Sequence, residues 1–68
     1  MVLEWEKKDS HLTVRNEEGV PIMSFKRVTD GGIWKMHDYR NCCVLYVLAV
    51  TDELISRWAL KYVGKYHD

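Results

Sequence analysis

The sequence predicts an α+β domain: a four-stranded antiparallel meander followed by one long C-terminal helix packed on one face. Three observations lead there. The first forty residues alternate apolar and polar positions in short runs separated by turn residues, as in Leu3-Glu4-Trp5-Glu6 and Leu12-Thr13-Val14-Arg15. At Asn41 the register changes to the unbroken run Cys42-Cys43-Val44-Leu45-Tyr46-Val47-Leu48-Ala49-Val50. From there to Val63, apolar residues recur at helical spacing.

Taken in order, the strands fall at about 2–7, 11–15, 20–28 and 33–36. Lys8-Asp9-Ser10 and Asn16-Glu17-Glu18-Gly19 supply polar turns between them. Pro21 cannot donate to a ladder, so the third strand starts at an edge or pairs only after it. Asp30-Gly31-Gly32 is a strong hairpin signal. The helix is expected over about 42–63, capped by Asp38 or Asn41 and stopped by Gly64. On a helical wheel Val44, Val47, Leu48, Thr51, Ile55, Trp58, Ala59 and Tyr62 gather on the face that would lie on the sheet.

Composition narrows the function. A chain of 68 residues makes one small domain that hides only about 60% of its unfolded surface, so it needs stabilising help. Its 47% apolar content, including three Trp and four Tyr, argues against disorder. Ten basic residues balance ten acidic ones, which gives no long-range field toward nucleic acid. Met1-Val2-Leu3-Glu4 lacks the basic start and apolar core of a signal peptide, and a cytoplasmic setting is the expectation. The apolar run at 42–50 falls well short of the roughly 20 residues that span a bilayer.

Few residues carry chemical signals. Cys42 and Cys43, placed at a helix start, would meet a dipole that favours thiolate, but no CxxC spacing accompanies them and structural packing is the favoured reading. His37 beside these cysteines lacks a second ligand pair for zinc, and His11 and His67 stand alone, so neither a metal nor a cofactor is expected. No phosphate loop, nucleophile elbow or carboxylate pair is present, and so small a core leaves little room for a cleft. The expectation is therefore no enzyme.

The expected interaction site is the surplus apolar surface on the helix side away from the sheet: Tyr46, Ala49, Val50 and Leu60. It suits a non-enzymatic protein-interaction module that pairs with itself or with another protein, of the kind used by small bacterial or phage regulators and inhibitors. Two alternatives involve other residues. Lys26, Arg27, Trp34 and Arg40 interleave basic and aromatic groups, as single-stranded nucleic acid binders do, although neighbouring acids offset most of the charge. The same residues, with Trp58 as a second interfacial anchor, could meet a membrane surface.

The segment from Trp34 to Leu54, WKMHDYRNCCVLYVLAVTDEL, resembles the C-terminal part of Tubby-like domains, the LURP-one-related and scramblase-like group. Leu12 to Asn16, Gly19 and Ile22 to Lys26 are similar to the strand pairs that precede it there. The resemblance implies a last strand leading into an apolar helix closed by an acidic residue. It also implies membrane-lipid or phosphoinositide association, without assigning a functional residue.

Overall fold

A computed structural model describes residues 3–67. It is α+β, with an antiparallel sheet and one C-terminal helix, and the sheet has five strands rather than the expected four. In chain order these are β1 (Glu4–Lys8), β2 (His11–Arg15), β3 (Pro21–Arg27), β4 (Ile33–Asp38), β5 (Cys43–Leu48) and α1 (Asp52–Tyr66). The strands lie in sequence order, each paired antiparallel with the next, so β1 and β5 are the two edges. The expected first strand began at Val2, which lies outside the described residues.

The fifth strand is the main correction. Residues 42–50 do not open the helix; Cys43–Leu48 form β5, and α1 starts only at Asp52. The side chain thought to cap that helix does make cap-like bonds, but in a hairpin turn. Asp38 Oδ1 accepts from the backbone N–H of Arg40 at 3.0 Å and of Asn41 at 3.1 Å. An Asx-type turn and a helix N-cap use this same local chemistry, so the signal is shared between them. Cys42 then turns the chain with φ +53°, and β5 returns along β4.

The real cap is Thr51, whose hydroxyl accepts from Leu54 N–H at 3.2 Å. Asp52 and Glu53 in the first turn and Lys65 in the last suit the helix dipole. The helix runs through Gly64, the expected stop, because Gly64 takes no left-handed conformation, and His67 N–H closes the end on Val63 O at 2.9 Å. Glu53 and Arg57 make an i, i+4 ion pair at 2.8 Å.

One sheet face carries the core. Leu12, Val14, Met23, Phe25, Trp34, Met36 and Val47 pack beneath Ile55, Ala59, Tyr62 and Val63 of α1. Trp34 is anchored by its indole N–H, which donates to Ala49 O at 2.8 Å. Gly32 sits at φ +91° and brings the β3–β4 turn against the chain beyond β5; a Cβ there would lie 2.8 Å from Ala49 O. This contact and the bond from Ala49 N–H to Gly32 O at 2.7 Å fix the end of β5.

Candidate functional site

Two features stand out: a buried polar node under a groove, and the free edge formed by β5. The node is Asp38, the last residue of β4, which has no solvent exposure. Its Oδ2 accepts from Tyr62 Oη at 2.7 Å and Asn41 Nδ2 at 2.8 Å, and lies 2.9 Å from His67 Nε2. Together with the two turn amides on Oδ1, these bonds tie α1's C-terminal end to the β4–β5 hairpin. Burial opposes ionisation of this carboxyl, but the bonds from Tyr62, His67 and Asn41 outweigh it and hold Asp38 well below the usual carboxylate range.

Tyr62 is pushed the other way, above the usual phenol range, by burial, by Cys43 and by the Asp38 charge. Its single hydroxyl proton goes to Asp38, so toward Cys43 Sγ, 3.3 Å away, the oxygen can only accept. The thiol thus packs against a phenol oxygen whose own proton is committed to the Asp38 carboxylate. Cys42 lies exposed in the turn, not at a helix start. Among the described residues no group of three or more His, Cys, Asp or Glu could hold a metal ion.

Above the node lies an open groove of about 610 Å³ between α1 and β5, although a cleft of this size was not expected from so small a core. Trp58, Tyr62 and Tyr66 form one side of it, with ring centroids 5.0 and 4.8 Å apart along the ladder. Cys43 and Leu45 come from the strand, and Lys61 and Lys65 bring charge.

The sheet edges differ in chemistry. Trp34, Met36 and Asp38 face the helix, so in the β4–β5 register Val47, Leu45 and Cys43 share that side, and Leu48, Tyr46 and Val44 lie on the open face. Leu48 is 74% exposed and Tyr46 67%. Ala49 N–H bonds to Gly32 across the same register, so Val47, Leu45 and Cys43 point their backbone groups at β4. The N–H and C=O groups of Val44, Tyr46 and Leu48 consequently point outward from the free edge.

The expected interaction residues do not form one surface. Tyr46 is on the open face, and Val50, also exposed, follows the strand. Ala49 is buried and spends its backbone on Trp34 and Gly32, and Leu60 is on the exposed side of α1. The basic and aromatic set is divided as well. Trp34 is 2% exposed, beneath the Arg27 guanidinium at 5.8 Å, so it offers no ring face to a base or a lipid. Lys26 lies on the open face and Arg40 in the β4–β5 turn. Trp58 is partly buried against the core.

Sequence reasoning missed Asp38 as a buried node, Leu45 and the two lysines. The only early sign of the node was that Asp38 is a charged residue at a core-facing position of β4, in line with Trp34 and Met36. The segment read as a strand leading into an apolar helix, Trp34 to Leu54, is instead a hairpin followed by the first residues of α1. No helix among the described residues is long and apolar enough to cross a membrane. Compared with models of known families, with curated proteins and with solved structures, the chain matches none of them.

Proposed function

We propose that this protein is a small non-enzymatic interaction module that acts as a homodimer, with β5 of one copy pairing antiparallel with β5 of the other. The observation carrying this reading is the unguarded edge: outward backbone groups on Val44, Tyr46 and Leu48, which also expose apolar side chains. An exposed apolar edge strand is a template for another strand. A two-fold axis perpendicular to the sheet aligns residues of like parity. Centring it on Tyr46 opposes Val44 to Leu48 of the second copy and uses every outward group of the strand. Light scattering after gel filtration should give twice the 8.1 kDa chain mass at high micromolar concentration. A mass that stays at one chain there overturns the reading.

A second reading, association with an anionic lipid surface, has its own support. The pairings Lys8↔His11, His11↔Lys26, Lys26↔Lys35 and Lys35↔Tyr46 draw one row across the open face. Like charges directly opposed repel, and an anionic surface would relieve them, with Ile33 and Leu48 beside the row as apolar contacts. Co-sedimentation with phosphatidylserine vesicles, lost in Lys26→Gln/Lys35→Gln, supports it. Equal pelleting with neutral vesicles removes it, and binding to an oligonucleotide alone would favour the nucleic acid alternative.

A further inference from the structure

The groove between α1 and β5 combines features that the β5 edge does not explain. Its helix side is the ladder of Trp58, Tyr62 and Tyr66, and Leu45 faces it from the strand. Its polar donors are largely committed: Tyr62 to Asp38, and Asn41 to Asp38 and to Tyr66 O at 3.3 Å. The exceptions are Lys61 and Lys65, one helical turn apart, neither with a carboxylate partner among the described residues. The Lys65 ammonium lies 5.4 Å from the Tyr66 ring centre. Among the described residues the groove's lining thus includes two cations and no acid, and the Asp38 carboxylate beneath it is taken up by Tyr62, Asn41 and His67. A volume of about 610 Å³ is in the range that holds small organic ligands.

We propose that this groove binds a small amphiphilic carboxylate, its apolar body lying along Leu45 and the aromatic ladder and its carboxylate held between Lys61 and Lys65. The two ammonium groups, one turn apart on one helix, repel each other when the groove is empty, and a carboxylate between them converts that repulsion into two charge-assisted contacts. The apolar walls demand the body, because a carboxylate alone would leave them wet. The groove and the proposed pairing share β5 but use different groups: the side chains of Cys43 and Leu45 on its helix side line the groove, whereas the pairing uses the outward backbone groups of Val44, Tyr46 and Leu48.

Calorimetric titration of the whole chain with decanoate and with 1-naphthoate tests this, together with amide chemical-shift mapping. Saturable binding of one ligand per chain is expected, with Kd on the order of 10–100 μM and shifts confined to residues lining the groove. Lys61→Gln/Lys65→Gln, both at exposed positions, should weaken binding about ten-fold while the folded state is retained with only a small shift in melting, and uncharged decanol should bind about ten-fold more weakly than decanoate. Absence of saturable binding to both probes overturns the proposal. So does equal binding of decanol and decanoate, an unchanged affinity in the double variant, or shifts centred on the open face.

Discussion

The two edges of the sheet solve the same problem in opposite ways. At β1 the strand Glu4-Trp5-Glu6-Lys7-Lys8 places charge at four of its five positions. Lys7 even points to the helix side, where it pairs with Asp52 at the start of α1. Charges on an edge, and inward-pointing ones especially, discourage a further strand from adding. At β5 the strand Cys43-Val44-Leu45-Tyr46-Val47-Leu48 has no charge at all. One end of the meander is closed to growth and the other is open, which limits strand addition to a single event. The pairing proposed above would therefore stop at a dimer rather than grow into a filament.

The comparison can be broken most severely at Asp38, which holds the turn that delivers β5. Asp38→Asn is expected to cost about 3 kcal/mol in urea denaturation at neutral pH, because Tyr62, His67 and the Asn41 amide lose a buried charged acceptor. Since the folded carboxyl titrates below its unfolded value, its stabilisation is fully present above the unfolded pKa of about 3.9 and is lost as pH falls below it. Stability of the native chain should therefore drop in that acid window more steeply than that of the Asn variant. Parallel acid slopes would contradict the role given to Asp38.

Gly32→Ala attacks the other end of β5. With φ +91° and a Cβ 2.8 Å from Ala49 O, the substitution should cost about 2 kcal/mol by thermal unfolding. The same change at Gly31, where the nearest atom is 3.6 Å away, should cost well under half of that, about 0.5 kcal/mol or less.

The next effects fall on association. Tyr46→Lys gives β5 a guard of the kind β1 has and should weaken self-association about a hundred-fold by sedimentation equilibrium, with stability changed by less than about 1 kcal/mol. The converse change at β1, Glu6→Val together with Lys8→Val, removes exposed charges from the closed edge and should let species larger than a dimer form. Smallest is Glu53→Ala, which breaks an exposed helix pair and should shift stability by no more than about 0.5 kcal/mol.

How far the sequence disclosed this difference depends on the edge. β1 was legible because its alternation is between charged and apolar residues. The hairpins at Asp9, Gly19 and Gly32 were legible because left-handed backbone there asks for Gly or Asp. β5 was not legible, for a physical reason: an uncovered strand that is apolar on both faces shows no alternation, and a short apolar run is ambiguous between strand and helix. Its Val and Tyr content favoured a strand, but the cap-like signal of Asp38 and the true helical period after Thr51 drew the boundary ten residues early. Of the expected apolar surface, Tyr46 and Val50 are exposed and Ala49 is buried. Its geometry was misjudged: an exposed sheet edge rather than the far side of a helix.

The groove was hidden for a different reason. Leu45 and Lys61 are brought together only when β5 exists, so no local pattern joins them. The Asp38 node likewise joins residues 24 to 29 positions apart, beyond the reach of any period.

The central claim, that β5 pairs with its own copy, is tested most directly by amide hydrogen exchange measured across protein concentration. The N–H groups of Val44, Tyr46 and Leu48 point away from β4, so they should exchange freely in dilute protein and become protected as the dimer forms, while those of Leu45 and Val47 stay protected throughout. Dimers that leave Val44, Tyr46 and Leu48 exchanging freely would place the interface elsewhere and contradict the account.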